Sequence, residues 1–189
     1  HSFAGSVFSE FPDHFPQLFR TKQVTDIESE SMIRKILQTE KFGKLRPFGE
    51  PDYYVGKILK AISDSKKENQ DPDKVSEFAK LEIERIKSDP ASISSRGPTK
   101  GKIKADAVGK IEKCERTVLF AEVYRAYEAQ KKAEKLLDYD DLLIELLKAL
   151  EQDTQLLSEL QEKFQYVHID EHQDTNVSQN TIVMKLVDF

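Results

Sequence analysis

Two adjacent carboxylates, Asp170 and Glu171, close a short run of strand-forming residues near the carboxyl end of the chain. Residues 166–169 are aromatic or β-branched apart from one histidine, a composition typical of buried parallel strands. Open α/β sheets bind their ligands at the carboxyl ends of their strands. An NTPase needs one carboxylate there to hold Mg²⁺, usually through water, and another to orient the attacking water. The sequence therefore predicts a nucleotide-hydrolysis site, with Asp170 as the metal carboxylate and Glu171 as the catalytic one.

The same pair of acids also has an ordinary structural interpretation. Asp-Glu followed by Gln-Asp-Thr-Asn can form a solvated turn whose last residues cap the next helix. Residues 170–176, however, specify six positions rather than two. Their pattern, Asp-Glu-x-Gln-Asp-Thr-Asn, resembles motif II, the Walker B element, of the UvrD/Rep/PcrA group of superfamily 1A DNA helicases, which includes AddA- and RecB-like proteins. The resemblance implies that Gln173 lies near the nucleotide.

Further segments resemble the same helicases. Residues 1–4, His-Ser-Phe-Ala, resemble the end of the Thr-Phe-His-Ser-Phe motif near the single-stranded DNA path, which implies DNA contacts by His1 and Ser2. Residues 62–69 are similar to the Ile-Ser-x-x-Lys-x-Glu segment of the inserted 1B subdomain. Residues 137–143, Leu-Asp-Tyr-Asp-Asp-Leu-Leu, resemble the signature that precedes motif II. Together these ordered matches span the whole chain.

Composition limits the class of protein. With 189 residues, 38% of them apolar and 33% charged, the chain is predicted to be soluble, charge-rich and helical. Neither a run of membrane-spanning length nor a basic-then-apolar leader is found, and the single cysteine, Cys114, excludes an internal disulfide framework. We therefore expect a cytoplasmic protein. The net charge of −5 means that any nucleic-acid surface must be a local patch.

Residues 88–104 form the clearest irregular segment, because proline, glycine and serine lie there among basic residues. We expect a mobile surface loop. Residues 95–116 hold seven basic against three acidic side chains, an excess that can contact phosphates. A solvated loop is the competing interpretation. The candidate DNA contacts in this loop are Arg96, Lys100, Lys102 and Lys104.

Two alternative metal sites can be drawn from the same acids. A metal-dependent nuclease would pair the acids of residues 138–141 with Asp170 and Glu171, although acids in the first turn of a helix also complement its dipole. Because side chains alternate along an extended chain, His168, Asp170 and His172 could share one face and form a transition-metal site. We favour Mg²⁺ at Asp170, with the two histidines as local departures from the family pattern.

Helical periodicity dominates the chain between its ends. Apolar residues recur at helical spacing in residues 2–10, 52–67, 105–137 and 154–163, among others. The predicted fold class is mainly α, and the resemblance implies a helical 1B-type subdomain inserted in a partial RecA-like α/β P-loop NTPase domain. We place the partial motor domain 1A at residues 1–16 and 151–189, the latter with the Walker B strand, and the insertion at residues 17–150.

The resemblance implies a parent ATP-dependent DNA helicase that translocates 3′ to 5′ in DNA repair, replication or recombination. Its cofactors would be ATP and Mg²⁺, and its partners DNA at a single-strand/duplex junction and the remainder of the motor. No Gly-x-x-x-x-Gly-Lys-Ser/Thr loop occurs in the 189 residues, so we expect this stretch to be inactive alone. The alternatives are a helical nucleic-acid-binding or interaction module without catalysis and, with less support, a metal-dependent nuclease.

Overall fold

Eight α-helices account for most of the chain in the computed structural model, which describes residues 2–96 and 100–188 and only the backbone of Ser2. The helices expected from periodicity are present. They are α1 (Ser2–Glu10), α2 (Asp26–Leu37), α3 (Val55–Lys67), α4 (Pro72–Ser88), α5 (Ala105–Glu134), α6 (Asp141–Gln152), α7 (Thr154–Lys163) and α8 (Val177–Val187). None of these helices combines the length and the apolar character that crossing a membrane requires.

Short polar side chains define where several helices begin. The Asp71 carboxylate accepts hydrogen bonds from the backbone N–H groups of Asp73 at 2.9 Å and Lys74 at 2.8 Å, and Pro72 occupies the first turn, where its missing N–H costs nothing. Asp153 caps α7 in the same way by accepting from Leu156 N at 3.0 Å. These caps explain why α4 begins at Pro72 and α7 at Thr154.

Among the described residues, the named strands form one two-stranded parallel sheet. It pairs β1 (Lys22–Gln23) with β2 (Leu136–Leu137), in the register Lys22 to Leu136 and Gln23 to Leu137. The chain is therefore mainly helical with a small parallel sheet.

The strand predicted at residues 166–169 does not form in this structure, so that prediction was wrong. The segment is coil, and Tyr166 is 86% exposed. A strand exists through hydrogen bonds to neighbouring strands, and in the described part of the chain the named sheet pairs only residues 22–23 with 136–137. Strand-forming composition is not sufficient without such a neighbour.

The chain forms two compact units, one from residues 1–29, 60–69 and 130–189 and one from residues 30–59 and 70–129. In the first unit the core lies between α1, α6, α7 and α8. Its buried residues are Ala4, Val7, Phe15, Leu143, Leu146, Leu147, Leu150, Leu156, Leu160, Ile182 and Leu186. The predicted domain boundaries near residues 17 and 150 stay a prediction.

The second unit buries its own set of apolar side chains from α2, α3, α4 and α5. They include Met32, Ile33, Leu37, Val55, Ile58, Ala79, Ile86, Ala121, Val123, Tyr124 and Tyr127. Tyr124 and Tyr127 of α5 thus belong to the core, and Phe120 is half-buried.

The basic segment is more regular than the sequence indicates. A 3₁₀ turn, Pro90–Ser92, leads into an antiparallel bridge between Ile93 and Ile103. Ser94 N donates to Lys102 O at 2.9 Å, and Lys104 N donates to Ser92 O at 2.8 Å. We call the described residues 93–96 and 100–104 the basic hairpin. The described part of residues 88–104 is thus a surface segment without a named strand, as expected, but hydrogen bonds close its backbone, and the expected mobility stays a prediction.

Candidate functional site

The predicted catalytic acids lie in a tight turn that we call the acidic turn, residues 170–175. Glu171 adopts the left-handed conformation, with φ 50° and ψ 48°, and a 3₁₀ turn, His172–Asp174, follows it. One oxygen of the Asp170 carboxylate accepts from Glu171 N at 3.0 Å. The Gln173 side-chain amide donates to the Glu171 carboxylate. The structure therefore brings Asp170, Glu171 and Gln173 together.

The acidic turn is joined rigidly to α8. Asn176 and Gln179 form a reciprocal capping box: Asn176 Oδ1 accepts from Gln179 N at 2.9 Å, and Gln179 Oε1 accepts from Asn176 N at 3.0 Å. The Thr175 hydroxyl lies 2.7 Å from the His172 carbonyl oxygen and 2.8 Å from Asn180 Oδ1. Hydrogen bonds thus connect the acidic turn to the first turn of α8.

The chemistry of the acidic turn fits a hydrated divalent cation. Both Asp170 and Glu171 are exposed, so their carboxylates keep access to water. Mg²⁺ prefers oxygen ligands, retains several waters and commonly takes one or two protein carboxylates together with substrate phosphates. Asp170 could supply such a ligand, while Glu171, held by Gln173, could accept a hydrogen bond from water.

The histidine alternative receives no support from the geometry. His168 is exposed, and His172 lies in the 3₁₀ turn with its Nδ1 3.5 Å from the Thr175 hydroxyl. Among the residues that the structure describes, ligand atoms of His168, Asp170 and His172 do not lie within 4.8 Å of one another. The extended geometry that would place them on one face ends at the turn.

A second group of charged side chains is buried in the same unit, and we call it the ionic cluster: Lys66, Lys131, Asp138 and Asp141. Lys66 Nζ donates to Asp138 at 2.6 Å and to Asp141 at 2.5 Å. Lys131 Nζ donates to the same two carboxylates at 2.6 and 2.7 Å. Asp138 N also donates to Asp141 at 2.7 Å, and Asp141 N donates to Asp138 at 3.0 Å. The four formal charges sum to zero.

Burial makes these contacts strong. The side chains of Lys66 and Lys131 are 3% and 2% exposed. Burial by itself would raise the pKa of Asp138, but the charges and hydrogen bonds of Lys66 and Lys131 outweigh it and lower that pKa to about 2. The nuclease alternative needed Asp138 and Asp141 to hold metal ions with Asp170 and Glu171. Instead, both are committed to lysines, and in the described chain the two acid pairs do not gather around one point.

The ionic cluster unites two segments that resembled helicase motifs separately. Lys66 is the lysine of the Ile-Ser-x-x-Lys-x-Glu segment, and Asp138 and Asp141 belong to the signature before motif II. Sequence reasoning assigned no role to Lys131. A signal was available, because Lys131 follows the buried Tyr127 by four residues on the same face of α5. A lysine on an apolar face requires a buried partner.

Sequence reasoning also missed Ser178, the second residue of α8. Its side chain is buried, with 1% of its surface exposed, and its hydroxyl donates to the Lys66 carbonyl oxygen at 2.7 Å. This hydrogen bond links α8 to the last turn of α3. No local pattern indicates it, because the two residues are 112 positions apart.

The candidate DNA contacts differ in their exposure and in their hydrogen bonds. In the basic hairpin Arg96, Lys100 and Lys102 are exposed, while Lys104 Nζ donates to the Ala91 carbonyl oxygen at 2.7 Å and so also closes the hairpin. His1 lies outside the described residues, as does the side chain of Ser2.

One protein family matches nearly the whole chain, and individual proteins match a shorter part of it. The UvrD/REP helicase N-terminal domain matches residues 1–188. An ATP-dependent DNA helicase PcrA of Staphylococcus epidermidis and one of Staphylococcus aureus are each 41% identical to the chain over 68 residues. Those 68 residues are 36% of this chain and 9% of each relative, so the matched part is a small share of the relatives' length.

Proposed function

The chain belongs to the UvrD/REP helicase N-terminal domain family, and from this membership we propose that it forms part of an ATP-dependent DNA helicase. The observation that supports the proposal is the acidic turn, in which Asp170 and Glu171, the pair that resembles the family's Asp-Glu motif, are exposed to solvent. The relatives named PcrA are ATP-dependent DNA helicases.

The proposed chemistry divides the work between the two acids. Asp170 would hold Mg²⁺, and the metal would supply positive charge to the nucleotide phosphates. Glu171 orients the attacking water. The Gln173 amide, by donating to the Glu171 carboxylate, fixes the direction in which that carboxylate accepts a proton or hydrogen bond.

The rest of the proposal concerns the larger protein. The 189 residues contain no phosphate loop, so we propose that they do not hydrolyse ATP without a partner segment that supplies one. Residues 17–150 form the 1B-type insertion, between motor segments 1–16 and 151–189. The helicase moves 3′ to 5′ on DNA, acts at single-strand/duplex junctions in repair, replication or recombination, and works in the cytoplasm.

Substitution of Glu171 tests the catalytic assignment. In the full-length protein that carries these residues, Glu171→Gln should lower the DNA-stimulated rate of ATP hydrolysis by about 100-fold or more, because a positioned acid or base contributes about that factor. Asp170→Asn should do the same and reduce the response to Mg²⁺. Glu162→Gln, an exposed glutamate on α7, is the matched control. Near-normal hydrolysis by E171Q would rule out the proposed role.

A binding module without catalysis is the second candidate, and the exposed cations of the basic hairpin favour it. Lys100→Ala with Lys102→Ala should weaken DNA binding and reduce the slope of log affinity against log salt by about one for each phosphate that the protein no longer neutralises. Lys132→Ala, at an exposed position of α5, is the control. If the full-length protein binds DNA through the hairpin but never hydrolyses ATP, the module is the correct function.

A further inference from the structure

The amino end of α8 is anchored at a buried point. Ser178 is 1% exposed, and its hydroxyl donates to the Lys66 carbonyl oxygen at 2.7 Å. Lys66 is the penultimate residue of α3, and its side chain is held by both carboxylates of the ionic cluster. The residue that accepts the Ser178 hydrogen bond, Lys66, is therefore held in place by the contacts of its own side chain.

Hydrogen bonds restrict the backbone between Ser178 and the acidic turn. The capping box of Asn176 and Gln179 fixes the start of α8, and Thr175 contacts both the carbonyl oxygen of His172 and the side chain of Asn180. Glu171 lies seven residues before Ser178 and next to this bonded segment. A displacement of Ser178 would therefore be passed to the catalytic carboxylates.

We propose that Ser178 is a positioning residue, which sets the location of Asp170 and Glu171 through its hydrogen bond to the Lys66 carbonyl. The inference rests on the proposed ATP hydrolysis. A serine that served only to stabilise the fold would change the amount of folded protein, whereas a positioning serine changes how the folded protein responds to Mg²⁺.

The test uses the full-length protein with Ser178→Ala, Ser178→Cys and Ser178→Thr, and Ser158→Ala as the matched control at an exposed position of α7. Thiols donate weakly, whereas threonine keeps the hydroxyl. For S178A we expect the Mg²⁺ concentration at half-maximal ATP hydrolysis to rise by up to about tenfold, the lower end of the effect seen when a direct hydrogen-bond partner of a metal ligand is removed, because Ser178 bonds the Lys66 carbonyl rather than a ligand. We also expect kcat to fall about tenfold with KM for ATP nearly unchanged.

The cysteine variant should fall between S178A and the wild type, the threonine variant should restore the Mg²⁺ response, and S158A should match the wild type. Wild-type behaviour of both S178A and S178C would overturn the proposal. So would a loss of activity that follows the folded fraction with an unchanged Mg²⁺ midpoint, or a failure of both variants to fold, since each assigns Ser178 to folding alone. Measuring E171Q in parallel distinguishes the proposed ATP hydrolysis from the proposed positioning role of Ser178. If E171Q hydrolyses ATP normally, the proposed function is wrong. If E171Q is inactive while S178A behaves as the wild type, only the positioning role is wrong.

Discussion

Two pairs of acids in the same unit have opposite surroundings. In the ionic cluster, Asp138 and Asp141 each lie within 2.7 Å of the amino groups of two buried lysines. In the acidic turn, Asp170 and Glu171 are exposed, and the contacts described for them come from a backbone N–H and from the amide of Gln173.

The difference separates acids that are paired inside the fold from acids that remain available to a ligand. A carboxylate inside a protein is tolerated only with opposite charges and hydrogen bonds, and once so paired it has little capacity left for a metal ion. A carboxylate in water keeps its lone pairs available to a hydrated cation. Acids that look equivalent in sequence therefore divide into those that hold α3, α5 and α6 together and those that face solvent.

The largest effect on stability is expected inside the ionic cluster. Asp141→Asn would remove one carboxylate that both buried lysines contact, and removing one partner from a buried ion pair costs about 3 to 5 kcal/mol. Urea unfolding should show this loss. Glu171→Gln, at the exposed turn, should change the free energy of unfolding by less than about 0.5 kcal/mol. A D141N protein that is as stable as E171Q would abolish the distinction between buried structural acids and exposed chemical ones.

The pH dependence of stability sharpens the same comparison. The pKa of Asp138 is about 2 in the folded protein, against an ordinary value of 3.8, because its lysine contacts outweigh its burial. The folded state therefore binds the Asp138 proton less readily than the unfolded chain, and the stabilisation is complete above about pH 4 and lost as the pH falls towards 2. The difference corresponds to about 2 kcal/mol.

Unfolding free energies measured between pH 2 and 5 should show this loss, and Asp138→Asn should remove that part of the slope. Asp174→Asn, in the exposed acidic turn, is the control and should leave the slope as in the wild type. An unchanged slope in D138N would mean that the lysines do not stabilise the charged form of Asp138.

Sequence reasoning succeeded where the determinants are local. Helical periodicity arises from residues within a few positions of each other, so α1, α3, α5 and α7 were predicted close to their observed limits. The acidic turn could also be predicted from the sequence, because its hydrogen bonds join residues one to five positions apart.

The features that sequence reasoning missed are those that join distant parts of the chain. Lys66 and Asp138 are 72 positions apart, and Asp138 and Asp141 were explained by a helix dipole although α6 begins only at Asp141. The strand predicted at residues 166–169 did not form for a related reason. Its composition favours a strand, but a strand also needs hydrogen-bonding partners from distant parts of the chain, which composition does not reveal.

The smallest expected effect has the opposite sign and lies in the acidic turn. Glu171 holds a left-handed backbone with φ 50°, which costs a residue with a side chain about 1 kcal/mol or more, whereas glycine adopts it freely. Since glycine also adds entropy to the unfolded chain, Glu171→Gly should stabilise the protein by only about 0.5 kcal/mol while abolishing hydrolysis. Asp174→Gly, at a residue without positive φ, should destabilise it instead. Thermal unfolding of the two variants distinguishes them: if E171G loses as much stability as D174G, the turn stores no strain, and Glu171 differs from the buried acids only in its exposure.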